Sequence, residues 1–261
     1  MDGIVNKLPC TFSDLQGASV FITGGGSGIG AALTEGFIQQ GAKVAFVQRH
    51  DAKEFCDRME QLYGTRPLFT LCDISDIEHL KQAMQEAAQA HGAIKILVNN
   101  AAVDNRHKLS DYSVSDWDQS INVNLRPHFF TAQAAAAGMK ALGGGSIINL
   151  SSISYLMGNA GYPAYVAAKA GITGLTRGLA RELGPDKIRV NALLPGWVMT
   201  ERQKELWVTE DDLKAHVERQ CLKELLQPED MVGATLFLAS EASKMLTGQA
   251  LVVDGGVVVT G

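Results

Sequence analysis

Two residues four positions apart, Tyr165 and Lys169, could together move a proton. Pro163 predicts the start of a helix, because proline is tolerated in a first helical turn. The four-residue spacing then places both side chains on one face of that helix. A phenol with a pKa of about 10 is a poor base, but a nearby ammonium favours the phenolate. A half-buried tyrosine beside a surface lysine is the alternative, since Tyr-x3-Lys also arises by chance.

The strand predicted over residues 145–151 ends at the adjacent serines Ser151 and Ser152, shortly before that helix. Ligands of doubly wound sheets bind outside the carboxyl ends of the strands. Ser152 could therefore hydrogen-bond a substrate oxygen while Tyr165 removes its proton, although a capping serine would have the same sequence context. The sequence contains no G-x-S-x-G motif, which disfavours a nucleophilic serine hydrolase.

A glycine-rich turn, Thr23 to Gly30, follows the first predicted strand and leads into a helix. Glycines let the backbone approach a pyrophosphate, and the helix N-terminus stabilises its negative charge. The spacing Thr-Gly-x3-Gly-x-Gly only approximates the dinucleotide fingerprint, so an ordinary tight turn is the alternative. The expected cofactor contacts in this turn are Gly24, Gly26, Ser27, Gly28, Ile29 and Gly30.

The end of the second predicted strand reads Gln48-Arg49, where an acidic residue usually marks NAD. A carboxylate would bind the 2′-hydroxyl of the adenosine ribose and repel a 2′-phosphate. Gln48 is neutral, and Arg49 could pair with that phosphate through two hydrogen bonds. The pair therefore favours NADP over NAD, while a purely solvated Arg49 would leave the choice open.

Short β-branched runs alternate with longer amphipathic stretches, which predicts an α/β fold. The expected architecture is a single-domain Rossmann fold, a doubly wound seven-stranded parallel sheet with helices on both faces. Residues 1–16 are expected to form an N-terminal extension to a domain over 17–261, with a substrate lid around 195–223. The predicted strands cover 18–23, 42–48, 67–72, 94–99, 145–151, 188–194 and 249–254. The predicted helices cover 28–40, 52–63, 76–91, 115–140, 163–183, 209–225 and 228–240.

The composition narrows the function classes. The 261 residues carry a formal charge of -5 and form no basic cluster, which argues against nucleic acid as a partner. The N-terminus lacks signal-peptide features, and no stretch is apolar enough for a membrane helix. The four cysteines are scattered, and the six histidines show no metal-ligand spacing. We therefore expect a soluble cytoplasmic protein with reduced thiols and no catalytic metal.

These residues, together with further motifs, resemble the short-chain dehydrogenase/reductase family from about Leu15 to Gly256. The resemblance implies a nicotinamide-dependent oxidoreductase with a catalytic tetrad of Asn124, Ser152, Tyr165 and Lys169, in which Asn124 helps to hold a proton-relaying water. Ala102 departs from the family pattern, which usually has glycine there. The further motifs are Asn99-Asn100-Ala101-Ala102, Ile121-Asn122-Val123-Asn124-Leu125, Arg189-Val190-Asn191, Pro195-Gly196 and Val253-Asp254-Gly255-Gly256.

The same resemblance implies further cofactor contacts and an assembly. Asp73 would contact adenine, Asn100 would line the cofactor, and Thr200 would bind the carboxamide. Lys169 would hold the nicotinamide ribose, with Tyr165 also beside the cofactor. Family members are usually tetramers built through their long helices, so a homotetramer is expected. Other cofactor contacts are implied at Ile74, Ala101, Pro195, Gly196 and Val198.

A narrower similarity joins three segments to bacterial aldose 1-dehydrogenases, including D-xylose dehydrogenases: 105–109, 124–126 and 220–223. It implies a small-molecule substrate that is a sugar of the pentose or deoxyhexose class, oxidised at C1 to an aldonolactone. Gln48 departs from those enzymes, which carry an acidic residue there. Loop surface is the alternative role for the expected substrate contacts, which are Asn105, Ser152, Ser154, Tyr162, Tyr165, Trp197 and Arg202.

Two rival functions remain open. A carbonyl reductase or alcohol dehydrogenase acting on a 3-oxoacyl group or another ketone would use the same chemistry, although the polar lid argues against a hydrophobic substrate. A non-catalytic cofactor-binding regulatory protein would keep the fold without turnover. The complete set of Asn124, Ser152, Tyr165 and Lys169 disfavours it, because such a protein has no chemical need for all four.

Overall fold

The computed structural model describes residues 10–259 and contains one seven-stranded sheet. Every strand pairs in parallel with its neighbours, in the order β3-β2-β1-β4-β5-β6-β7. All seven predicted strands are confirmed, and so is the doubly wound Rossmann architecture. The strands are β1 Ser19–Thr23, β2 Lys43–Gln48, β3 Leu68–Leu71, β4 Ile96–Asn99, β5 Gly145–Leu150, β6 Ile188–Pro195 and β7 Ala250–Val253.

Helices cover both faces of the sheet. Within residues 10–259, none of them is both long enough and apolar enough to cross a membrane. The helices are α1 Gly28–Gln39, α2 Lys53–Tyr63, α3 Ile77–His91, α4 Val114–Asn124, α5 Arg126–Ala141, α6 Ser154–Met157, α7 Pro163–Leu183, α8 Glu201–Leu206, α9 Glu210–Arg219 and α10 Asp230–Ala239.

The central strands are buried on both faces, because successive side chains point to opposite sides of a sheet. In β1, Val20 and Ile22 join a core that α1 and α10 cover. Phe21, between them, joins a second core on the opposite face, with residues of α3 and α5. Burial on both faces explains why β1 reads as a continuous apolar run rather than an alternating one.

The single helix predicted over 115–140 is wrong, because the chain forms two helices that break at Leu125. Leu125 leaves the helical region with φ -128° and ψ -51°. Pro127, in the first turn of α5, has no N–H, and its ring would clash with the carbonyl four residues earlier in a continuous helix. The break leaves Asn124 as the last residue of α4.

Two further boundaries differ from the prediction. The helix expected over 209–225 ends at Arg219, where Gln220 turns extended and the ammonium of Lys223 caps the carbonyls of Glu218 and Gln220. Residues 1–9 of the expected extension lie outside the described residues. Leu15, however, is buried in the core, so this part of the expected extension packs with the domain.

Candidate active site

A cavity of about 1200 Å³ opens at the carboxyl ends of the strands. It lies beside β1 and β4, which are adjacent although the chain runs through β2 and β3 between them. This reversal of strand order is where doubly wound sheets bind ligands, because the following loops diverge there. Residues after β1, β2, β4, β5 and β6 all contribute to the wall.

The glycine-rich turn forms one end of the cavity with the expected geometry. Gly24 and Gly28 have positive φ angles of +70° and +52°, which side chains disfavour. A Cβ on Gly30 would lie 1.7 Å from the Gly24 carbonyl oxygen, so the turn and α1 can pack closely only with glycine. Ser27, the N-cap of α1, makes no side-chain cap bond. This backbone cradle at a helix N-terminus suits the pyrophosphate of a dinucleotide.

Gln48 lines the cavity, but its amide is committed to the protein. Its Oε1 accepts a hydrogen bond from Gly26 N at 2.9 Å, and its Nε2 donates to His50 O at 3.0 Å. Gln48 therefore braces the glycine-rich turn. Arg49 lines the same region, as does Arg58 of α2, a cation that the sequence analysis did not select.

Asn100 and Ala101 join β4 to the glycine-rich turn. Their backbone N–H groups both donate to Thr23 Oγ1, at 3.0 and 3.1 Å. The Asn100 side chain donates to Thr23 O and Gly24 O, each at 3.0 Å. Asp73, by contrast, is not part of the cavity wall, where Ile74 lies instead. The Asp73 carboxylate accepts two hydrogen bonds from Ser75 and so shapes the loop after β3.

Ser152, Tyr165 and Lys169 all line the cavity. Lys169 Nζ lies 5.4 Å from the Tyr165 ring centroid and donates to Leu150 O at 2.9 Å. Ser152 Oγ accepts a hydrogen bond from Ser154 N at 3.1 Å, which orients the hydroxyl at the start of α6. The three side chains predicted to do the chemistry are thus brought together by β5 and α7.

The expected lowering of the Tyr165 pKa by Lys169 is not found in this structure. Burial raises the pKa of Tyr165 above its ordinary value, and the Asp104 carboxylate adds to the rise. A hydrogen bond from Ser152 acts in the opposite direction. Burial also lowers the pKa of Lys169 to about 7, because its ammonium is removed from water. Desolvation therefore outweighs the attraction on which the sequence prediction depended.

A chain of buried side-chain hydrogen bonds anchors α7 and α5 on the sheet. Asn99 Nδ2 donates to Asn149 Oδ1 at 2.9 Å, and Asn149 Nδ2 donates to Thr176 Oγ1 at 3.0 Å. Thr131 Oγ1 donates to Asn99 Oδ1 at 2.8 Å. At the end of β5, Ser151 Oγ donates to the backbone of Lys169 at 2.7 Å. These bonds fix the register of the helix that carries Tyr165.

Asn124 is buried and does not line the cavity. Its Oδ1 accepts from Val103 N at 2.8 Å, and its Nδ2 donates to Val103 O at 3.0 Å. The side chain thus pairs with the backbone of the loop after β4 much as a strand would. Its contact with Val103 positions the neighbouring Asp104, which does line the cavity.

Residues of the segment 195–223, which contains α8 and α9, also line the cavity. Gln203 Nε2 donates to Asp104 Oδ2 at 2.7 Å, and Trp197 Nε1 donates to Gln203 Oε1 at 2.9 Å. Arg202 Nη2 donates to Asn105 Oδ1 at 3.2 Å. Asn105, an expected substrate contact, is exposed and is not part of the wall. These contacts join the lid to the loop after β4.

Several predicted contacts do line the cavity, with neighbours that the sequence analysis missed. Ser154, Tyr162, Trp197 and Arg202 face the cavity, as do Pro195, Gly196, Val198 and Thr200. The guanidinium of Arg106 lies 4.6 Å from the Trp207 ring centroid and 5.9 Å from that of Tyr162. His216 also lines the wall. The signal that could have found Trp207 and His216 is an aromatic ring within an otherwise polar insertion.

Known proteins place this fold and site in a family. A family model described as enoyl-(acyl carrier protein) reductase matches residues 24–258. The chain belongs to the short-chain dehydrogenase/reductase family of oxidoreductases, which confirms the resemblance found in the sequence.

Individual relatives match over nearly their full length. A probable galactose dehydrogenase of Rhizobium meliloti is 49% identical over 94% of this chain and 97% of its own. The D-xylose 1-dehydrogenase of Caulobacter vibrioides is 46% identical, with the same coverage.

Solved structures agree with this assignment. A putative short-chain alcohol dehydrogenase from Sinorhizobium meliloti superposes with a TM-score of 0.89 at 33% identity, covering 94% of this chain and 98% of that one. A blue fluorescent protein from a metagenomic library, in complex with NADPH, superposes with a TM-score of 0.86 at 32% identity, covering 94% and 100%.

Proposed function

We propose that the protein oxidises an aldose at C1 with a nicotinamide cofactor and releases an aldonolactone. The observation that carries this proposal is one continuous cavity lined by Tyr165 and Ser152, by the glycine-rich turn, and by polar and aromatic residues of the segment 195–223. The names of the two relatives described above, galactose dehydrogenase and D-xylose 1-dehydrogenase, support an aldose as the substrate class.

Each catalytic side chain has a defined task in this proposal. Ser152 hydrogen-bonds the oxygen at C1 of the sugar, and Tyr165 accepts the proton of that hydroxyl. Lys169, with a pKa of about 7, can take up or release a proton beside Tyr165 near neutral pH. Asn124 hydrogen-bonds the backbone of Val103 and so holds the loop after β4 in place. The nicotinamide, when bound, supplies the acceptor for the hydride that leaves C1.

For the cofactor, we propose that NADP binds more tightly than NAD. Position 48 is a glutamine, so no carboxylate there would repel a 2′-phosphate, and its amide is bonded to Gly26 and His50. Arg49 and Arg58 line the cavity beside it. A 2′-phosphate would pair with such cations. Arg49→Ala should raise the KM for NADP about tenfold and leave that for NAD within about twofold. Arg66→Ala is a matched control, because Arg66 pairs with Asp57 and Glu60 outside the cavity.

We also propose that the protein is a homotetramer in the cytoplasm. Trp117 of α4 and Phe129 of α5 are each 44% exposed, and a Cβ on Gly174 of α7 would meet nothing within 4 Å. Apolar surface on these helices supports their use as subunit contacts. The four free cysteines support a reducing compartment. A mass equal to that of a single chain, measured by light scattering, would reject the tetramer.

The function is tested by assaying pentoses, hexoses, deoxyhexoses, simple ketones and 3-oxoacyl thioesters with NAD and NADP. We expect reduced cofactor to form with at least one aldose, and a lactone to be its product. Activity on oxoacyl thioesters with none on any aldose would reject the proposal and favour a carbonyl reductase. Tight cofactor binding without turnover of any substrate class would favour the regulatory alternative.

A further inference from the structure

Three residues that line the cavity each have a buried polar atom with no hydrogen-bond partner in the protein. The atoms are Ser154 Oγ, Trp207 Nε1 and His216 Nε2. An unpaired buried polar atom destabilises a fold, so such atoms are uncommon in native proteins. These three atoms belong to the wall of one cavity, where a ligand with polar groups could complete their hydrogen bonding.

His216 is held firmly in this wall. The residue is 9% exposed, and its ring packs edge-on against Trp197 with centroids 5.3 Å apart. Helix α9, which carries it, is capped at its start by Thr209 and at its end by Lys223. A fixed ring can select one hydroxyl position, because a hydrogen bond is weakened by small errors in distance or angle.

The imidazole of His216 is suited to a neutral hydroxyl. Burial lowers the pKa of His216 below its ordinary value, so the ring is neutral at neutral pH. A neutral imidazole has one nitrogen that donates and one that accepts, and a hydroxyl can serve either. It therefore needs no charged ligand group.

The groups around His216 favour a sugar over a hydrophobic substrate. Trp207 offers a donor at Nε1, and the rings of Tyr162 and Trp197 lie in the same wall. A polyhydroxylated ligand satisfies both kinds of group, since sugars combine hydroxyls with apolar C–H faces. An acyl chain in this position would leave all three polar atoms buried and unpaired.

We propose that His216 Nε2 binds a hydroxyl of the sugar other than the one at C1, and that Trp207 Nε1 donates to a second sugar oxygen. This assignment rests on the proposed aldose oxidation. It makes His216 a specificity residue rather than a catalytic one, because it acts on the part of the sugar that does not react.

The test measures kcat/KM for the best aldose and for each of its monodeoxy analogues, in the wild type and in His216→Phe. For one analogue, the wild type should lose about 10-fold to 100-fold relative to the parent sugar, the cost of an unpaired buried group. In His216→Phe that difference should shrink to less than about threefold, because both partners of the bond are then gone. His216→Gln, which keeps a hydrogen-bonding group, should restore part of the discrimination.

Two controls make the result specific. Cofactor affinity, measured by fluorescence titration, should be unchanged in each variant and reports that the fold is intact. His79→Phe removes an exposed histidine of α3, outside the cavity wall, and should keep the wild-type pattern.

The possible outcomes separate this inference from the proposed function. Aldose oxidation with the same deoxy-sugar pattern in His216→Phe as in the wild type would overturn the inference and leave the function intact. An equal loss on the parent sugar and on every analogue would also overturn it, since that indicates a role in shape alone. A wild type that oxidises no aldose would overturn both.

Discussion

The two walls of the cavity are held in different ways. On the sheet side, Asn99, Asn149 and Lys169 are buried, and each bonds to an element other than the one that carries it. On the lid side, Arg202 and Gln203 are exposed or half-buried, and they bond to side chains of a single loop. The wall with the reacting groups is therefore fixed by the core, and the wall with the specificity groups is fixed largely by side-chain bonds to the loop after β4.

This difference has energetic consequences. The exposed Arg202 lies 3.5 Å from Asp104, and such surface ion pairs contribute about 0–1 kcal/mol. A buried amide that loses its partner costs roughly 1–3 kcal/mol. The lid can consequently change its contacts, and with them the substrate, at little cost to the fold, whereas the sheet wall cannot.

The largest effect is expected for Tyr165→Phe, which removes only the reacting hydroxyl from the sheet wall. Turnover should fall by about 10³-fold or more, within the range of general-base catalysis. Cofactor affinity should stay within about twofold, because the phosphate cradle is untouched. Steady-state kinetics with a sugar, together with cofactor titration, measure both.

Tyr63→Phe provides the matched control for that experiment. In the wild type, the Tyr63 hydroxyl donates to Glu35 of α1, and Tyr63 does not line the cavity. Turnover should therefore stay close to that of the wild type. A near-normal rate in Tyr165→Phe would mean that another group takes the proton.

The next effect is expected on stability, for Asn149→Ala. The change removes the bond to Thr176, leaves Asn99 Nδ2 without its acceptor and opens a small cavity, for a loss of about 3 kcal/mol. The thermal midpoint at fixed protein concentration should fall by about 6–12 °C. Asn122→Ala, at a half-exposed position, should lower it by less than about 2 °C. Equal shifts in the two variants would contradict the view that the core fixes this wall.

The sheet wall was largely predictable from the sequence because local signals determine it. Strand bounds agree with prediction to within two residues, since burial on both faces produces continuous apolar runs. The positions of Tyr165 and Lys169 follow from helical spacing. The partners of Asn99 and Asn149 could not be predicted, because they lie 50 and 27 positions away along the chain.

The lid was much less predictable. Its existence followed from a long polar insertion, but its contacts depend on how two loops distant in sequence pack together. Asn105 was expected at the substrate and instead bonds to Arg202 on the exposed side, while Asp104 beside it faces the cavity. A shift of one residue reverses such an assignment in a loop, where no regular period relates sequence to direction.

A pH profile distinguishes the chemistry of one wall from the binding of the other. Oxidation needs the deprotonated phenol, and burial raises the pKa of Tyr165, so the active form grows as pH rises. We expect log(kcat/KM) for sugar oxidation to increase by about one unit per pH unit through the neutral range at saturating cofactor. His216→Phe should lower log(kcat/KM) by the same amount at every pH and leave the slope of the profile unchanged. A flat wild-type profile would reject Tyr165 as the base.

The smallest effect on stability is expected for Gln203→Ala, although the residue links the lid to the loop after β4. The variant loses the bonds to Trp197 and Asp104, both only partly buried, so the thermal midpoint should change by less than about 2 °C. The KM for the sugar should rise about 5-fold to 10-fold with kcat within about threefold, because the lid must then be ordered by the substrate.

Gln82→Ala, which removes a surface bond to Glu86 on α3, is the matched control and should change neither value. If Gln203→Ala lowered the thermal midpoint as far as Asn149→Ala does, the lid would be part of the same cooperative unit as the sheet. Specificity could then no longer vary independently of the fold, and relatives with different sugars would have to differ in their cores as well.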